Sequence, residues 1–342
     1  MKRIGMLTSG GDCQALNATM RGIVKGVCNA LDEVELYGFE EGYKGLIYGN
    51  YRMLTPKDFS GILTKGGTIL GSSRQPFKMM RVPDENGLDK VEAMKHTYHK
   101  LRLDCLVILG GNGTQKTANL LREEGLNIIH MPKTIDNDLP VTDHCPGYGS
   151  AAKYIATTMK EVIRDNESFG AAKPTIVIAE IMGRDAGWLT AAAALAKGDD
   201  CSGVDGIYLP ERVFDVDKFL DKVEHLSKTK RSVVIAVSEG LKLADGRYAC
   251  ELGDASDKVD AFGHKQLSGT ASALCKLVAD RTGCKTRAIE FSTMQRAATH
   301  VASLTDIDEA FTAGKMAAEA AAQGETGEMV IFKRVNTEAE PY

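Results

Sequence analysis

Cys105-Leu106-Val107-Ile108-Leu109, followed at once by Gly110-Gly111-Asn112-Gly113-Thr114, decides the fold class. Five apolar residues without polar alternation suit a strand buried on both faces, as in a parallel sheet, and the glycine turn leads into a helix-like segment. The same grammar recurs along the chain. Ile4 to Leu7, Val34 to Gly38, Ile128 to Met131, Thr175 to Ile181, Gly206 to Leu209, Val233 to Val237, Ala288 to Phe291 and Met329 to Phe332 are further short apolar runs. Between them, Val91, Met94, Tyr98 and Leu101 recur at helical spacing, as do Phe219, Val223 and Leu226, and Ala310 to Ala322 is rich in helix formers. This alternation predicts doubly wound α/β layers with mainly parallel sheets. At 342 residues the chain exceeds one ordinary core, so about two domains are expected.

Composition narrows the function classes. With 43% hydrophobic, 26% charged and 6% aromatic residues the chain is a folding sequence, neither disordered nor collagen-like. A net charge of -4 without a long single-sign run argues against nucleic acid as a main partner. The apolar run after Met1-Lys2-Arg3 stops at Leu7, so no export signal is expected. The longest apolar stretch elsewhere, Ala191 to Ala196, is far below the ~18 residues that cross a bilayer. Eight cysteines lie scattered, with no C-x-x-C pair and no His at metal spacing, which reads as reduced, mostly structural thiols and a cytoplasmic setting.

Ligands of doubly wound sheets bind beyond the carboxyl ends of the strands, so the turns after the apolar runs are the informative ones. Four stand out: Thr8-Ser9-Gly10-Gly11-Asp12, Gly110 to Thr114, Pro132-Lys133-Thr134-Ile135-Asp136-Asn137-Asp138, and Met182-Gly183-Arg184-Asp185. The two glycine turns are either phosphate cradles, whose bare N–H groups close on an anion, or simply tight turns. Gly110 through Thr117 approaches a P-loop but carries Gln115 where that pattern has its last glycine. Asp136, Asn137 and Asp138 crowd at a strand end with Lys133 and Thr134 just before them. Such a cluster is costly unless it binds a metal, a cation or a reacting hydroxyl, and it supplies the parts of a phosphoryl transfer.

In collinear order, SGGD, GGTILGSSR (Gly66 to Arg74), GGNGT, PKTIDND, MGR (Met182 to Arg184), SEG (Ser238 to Gly240), TRA (Thr286 to Ala288) and MQR (Met294 to Arg296) cover almost the whole chain. This series resembles the 6-phosphofructokinases. NAD kinases and lipid kinases use similar glycine turns but lack the TIDND and MGR turns. The resemblance implies two Rossmann-like three-layer lobes with the active site in the cleft: 1–147 with about 295–330 as the donor lobe, and 148–294 with the C-terminal tail as the fructose 6-phosphate lobe. It implies Asp136 as general base for the sugar 1-hydroxyl, assisted by Lys133 and Arg184. Thr134, Met182, Gly183, Arg184 and Glu239 are implied as sugar contacts, and Arg287 and Arg296 as clamps on the 6-phosphate. Gly11, Arg74, Gln75, Gly111, Asn112, Gly113 and Thr114 fall at the donor site, with Asn112 at the Mg2+ position and ATP as co-substrate. A homodimer or homotetramer is implied, with no nucleic acid or membrane partner.

The chain departs from the family pattern at several positions. Asn112 stands where most members have Asp, and an amide oxygen can ligate Mg2+ but brings no charge. Thr293 replaces a His or Tyr, Ala297-Ala298 a glycine pair, and Thr175 an Arg that reaches across a subunit boundary, with Lys173 nearby. These departures keep a phosphosugar-binding paralogue with weakened chemistry as an alternative. For the donor, Gly113 leaves space for the α-phosphate of ATP, where pyrophosphate users carry Asp; Lys133, by contrast, is typical of pyrophosphate users. The steric argument favours ATP, with pyrophosphate-dependent transfer as the alternative.

Overall fold

A computed structural model describes residues 1–63, 65–170, 172–253 and 267–335. Among the described residues the strands are β1 (Lys2–Thr8), β2 (Val34–Phe39), β3 (Tyr51–Leu54), β4 (Cys105–Gly110), β5 (Ile128–Pro132), β6 (Thr175–Ile181), β7 (Gly206–Tyr208), β8 (Ser232–Ser238), β9 (Lys285–Glu290) and β10 (Glu328–Met329). The helices are α1 (Leu16–Ala30), α2 (Tyr43–Tyr48), α3 (Lys90–Lys100), α4 (Asn112–Glu123), α5 (Tyr148–Ser168), α6 (Trp188–Ala191), α7 (Val216–Thr229), α8 (Thr270–Thr282), α9 (Met294–Ala297) and α10 (Leu304–Gln323). None is long and apolar enough to cross a membrane.

The chain divides into two compact units. The first comprises Met1–Ser150 and the segment from Arg296 on, the second Ala151–Gln295. In the first, a six-stranded sheet runs in the order β10-β5-β4-β1-β2-β3, parallel except for β3. Every residue of β4 and β5 is buried, as the apolar run of β4 requires, and in β5 this burial includes His130. On one face, α1 and α10 pack so closely that a Cβ on Gly22 would lie 2.1 Å from the Phe311 carbonyl oxygen, and one on Gly314 2.2 Å from that of Thr19. The backbones can only touch there because both positions lack side chains.

In the second unit four parallel strands run β7-β8-β6-β9. Its core joins Ile176, Ile178, Val233, Ile235 and Val237 of the sheet to Phe219 and Val223 of α7 and Leu274 and Val278 of α8.

Three expectations need correction. The tail, to the extent that it is described, belongs to the first unit and not to the sugar lobe: β10 pairs with β5, and Phe332 stacks on His144 with ring centroids 4.7 Å apart. Residues 336–342 lie outside the described residues. The last two strands are displaced towards the start of their apolar runs. β9 begins at Lys285 because an edge strand with a polar face needs no unbroken apolar run, and β10 ends at Met329 as the chain leaves to meet Thr142 and His144.

Candidate active site

In the first unit, three strand-end turns meet. Lys133 follows β5, and its Nζ donates to the carbonyl of Gly11, in the turn after β1. Gly10 has φ +88°, a left-handed conformation, and a Cβ there would lie 3.7 Å from Lys133 Nζ and 3.9 Å from Thr114 Oγ1. Those are ordinary contact distances, so it is the left-handed backbone, not crowding, that calls for glycine here. Tyr43, wholly buried in α2, holds α4 in place by donating from its hydroxyl to the Thr114 carbonyl at 2.9 Å. The segment containing Arg74 and Gln75 is fixed to the same turn through Ser72, whose hydroxyl donates to the Gly10 carbonyl at 2.6 Å. Arg74 is exposed and Gln75 half-buried.

Gly111 precedes α4 and offers no capping side chain, so the first-turn N–H groups are left for an external acceptor. Asn112 and Gly113 are exposed at this helix start, and a Cβ on Gly113 would meet nothing within 4 Å. Among the described residues, no cluster of three or more His, Cys, Asp or Glu could cage a metal.

Charge is concentrated beneath this surface. Burial pushes the Lys133 pKa down, while the neighbouring Asp12 and Asp136 carboxylates favour its charged form. Asp12 is moved in the opposite direction by its own burial, which Lys133 and Arg296 oppose. Its Oδ1 is buried without a hydrogen-bond partner. Arg296 lies beside Gly11, with Nη1 3.4 Å from where a Cβ would stand. Asp136 donates its backbone N–H to Thr134 Oγ1 at 3.1 Å, which turns the chain back after β5.

The second unit gathers the MGR and SEG turns. Met182 N–H donates to Gln295 Oε1 at 3.2 Å and Gly183 N–H to Glu239 Oε1 at 3.4 Å. Gly240 is obligatory, since a Cβ would stand 1.9 Å from the Arg184 carbonyl oxygen. Behind these turns Glu180, 5% exposed, accepts the N–H of Ala271 at the start of α8. Burial, with Glu290 and Glu239 adding repulsion, raises its pKa to about 7.

The two arginines expected to clamp one phosphate lie in different units. Arg287, on β9, pairs with Asp165 of α5 at 2.9 Å and lies over the Phe169 ring, whereas Arg296 joins the Gly11–Lys133 group. Sequence reasoning passed over Asp12 and Gln295, although both stand inside the SGGD and MQR motifs. Asp12 differs from a solvated turn residue only in its burial, and Gln295 acts through its fully buried amide.

The family model described as Phosphofructokinase matches residues 3–321. An ATP-dependent 6-phosphofructokinase of Spirochaeta thermophila is 39% identical over 97% of this chain and 87% of its own length. A pyrophosphate–fructose 6-phosphate 1-phosphotransferase of Amycolatopsis methanolica is 36% identical over 97% of this chain and 90% of its own. Among solved structures, the pyrophosphate-dependent phosphofructokinase of Marinobacter aquaeolei superposes with a TM-score of 0.80 at 28% identity, covering 98% of this chain and 80% of that one.

Proposed function

This chain belongs to the phosphofructokinase family, and from that premise we propose that it transfers the terminal phosphoryl group of ATP to O1 of fructose 6-phosphate, a glycolytic step in the cytoplasm. The observation that carries this reading is the convergence of the Asp136 turn, the Lys133 ammonium and the open start of α4 in one unit. Asp136 accepts the proton of the sugar hydroxyl on its carboxylate as O1 attacks. Lys133, held by the Gly11 carbonyl, offers fixed positive charge to the moving phosphoryl group, and a preoriented cation in a buried setting stabilises developing charge with little reorganisation. Met182, Gly183, Arg184 and Glu239 are assigned to the sugar, and Arg287 and Arg296 to its phosphate.

The donor set suits Mg2+ carried in on phosphate oxygens better than a protein cage: Asn112 offers a neutral amide oxygen, and the unpartnered Asp12 Oδ1 a charged one. Bound there, the ion would neutralise phosphate charge. ATP is supported by the open space at Gly113. Pyrophosphate is a second reading, favoured by the buried Lys133 cation, which could face a shorter donor. Relatives bear both names. A coupled assay of fructose 1,6-bisphosphate formation with each donor tests the proposal: turnover with ATP at least tenfold above that with pyrophosphate is expected, and the reverse ratio would assign the donor to pyrophosphate. Binding of fructose 6-phosphate without turnover on either donor would favour the weakened paralogue. We further propose a homodimer or homotetramer, to be read by light scattering.

A further inference from the structure

Asp306, in the first turn of α10, is 5% exposed, and its carboxylate faces the chain that follows the Asp136 turn. Oδ1 accepts the Gly147 N–H at 2.8 Å; Oδ2 accepts the Ser150 N–H at 3.3 Å and the Ser150 hydroxyl. Burying a carboxylate is costly, and three donors on two oxygens offset that cost. The location of Gly147 gives the arrangement its meaning. It has φ +102°, it is bridged in parallel to Thr134, and a Cβ on it would stand 2.6 Å from both Cβ and Sγ of Cys13. It is therefore wedged between the turn after β1 and the turn after β5. Thr134 in turn receives the Asp136 N–H on its hydroxyl.

We propose that Asp306 is a positioning residue for phosphoryl transfer: by holding Gly147 it fixes Thr134, and through Thr134 the orientation of the Asp136 carboxylate. The proposal rests on the reading of Asp136 as the base. A purely structural role is separable, because the contacts of Asp306 divide in two. Those to Ser150 secure the start of α5 and, through the Ser303 N–H that donates to Ser150 Oγ at 3.1 Å, the start of α10. Only the Gly147 contact leads to Asp136.

The test compares Asp306→Ala, Asp306→Asn and Ser150→Ala in the full chain by steady-state kinetics with fructose 6-phosphate and the better donor, thermal melting, and hydrogen exchange of a peptide spanning residues 132–138. Asp306→Ala should lower kcat by about 10²-fold, the scale of a small misplacement at a reacting centre, with KM for the sugar changed less than threefold and faster exchange in 132–138. Ser150→Ala should lower the melting temperature with kcat within twofold of the parent. Asp306→Asn, which keeps an oxygen for Gly147, should recover most of kcat. Loss of kcat in proportion to melting temperature across all three variants, or unchanged exchange at 132–138 in both Asp306 variants, would overturn the proposal. If the parent turns over neither donor, the functional reading has failed, and the exchange comparison alone still decides whether Asp306 holds this turn.

Discussion

At the scale of single residues, Asp136 and Gly113 bear the sharpest expectations. Asp136→Asn keeps the backbone bond to Thr134 but removes the proton acceptor, so kcat should drop by about 10²–10⁴-fold with the melting temperature within a few degrees of the parent. Near-normal turnover would remove Asp136 from the chemistry. Gly113→Asp adds a side chain at an exposed helix start where a Cβ would meet nothing within 4 Å, so folding should be little affected. Its effect should fall on the donor: ATP turnover should collapse by overlap and like-charge repulsion while any pyrophosphate turnover is retained, as donor-resolved rates would report. A variant that keeps ATP turnover would place donor choice elsewhere. Residue types and motif order made most of this site legible in sequence. What they could not convey was burial: nothing in the letters of SGGD marks Asp12 as half sequestered beside two cations, or Lys133 as 4% exposed.

Elements were legible where one physical rule governed them. Buried parallel strands favour apolar runs, and β1, β4, β5, β6 and β8 are mostly apolar and buried, interrupted by buried His130 in β5 and Glu180 in β6. β3 differs. Tyr51 and Met53 are exposed and Leu54 buried, the alternation of an antiparallel edge, and four residues are too few to make that pattern stand out. The pairing of α1 with α10 was equally hidden, since glycines in a helix pattern look like defects until the partner backbone is seen. Gly22→Ala places a methyl group 2.1 Å from a main-chain oxygen that cannot swing aside. It should cost about 1–3 kcal/mol in denaturant titrations, whereas Gly113→Ala, in open space, should stay within about 0.5 kcal/mol. Equal stabilities would mean that the two helices separate more readily than this packing allows.

At the scale of the whole molecule, two protonations act with the same sign. Glu180, with its pKa raised to about 7, favours folding when protonated, so its contribution is full below the ordinary Glu range and is lost as pH rises through 7. His144 is bracketed by Asp143 at 3.0 Å and Glu309 at 2.7 Å. Its burial lowers its pKa, but those two carboxylates outweigh burial and raise it, so its contribution also disappears as pH rises past the ordinary His range. Burial holds the His130 pKa down at about 4, so that group acts with the opposite sign, and the Glu180 contribution is read by difference: between pH 6 and 8 the melting temperature of Glu180→Gln should lose less, or gain more, than that of the parent. A slope identical to the parent's would show that Glu180 does not titrate in this window.

The return of α10 to α1 also bears on how the protein is made. Leu16–Ala30 leave the ribosome early, but the backbone that covers Gly22 and Gly26 belongs to Leu304–Gln323. At common elongation rates the wait between them is on the order of tens of seconds. During that interval the whole of Ala151–Gln295, which is continuous in sequence, emerges and can condense. The later unit along the chain is thus free to fold first, while the earlier one presents an uncovered helix face to chaperones and to neighbouring nascent chains until Leu304–Gln323 have emerged.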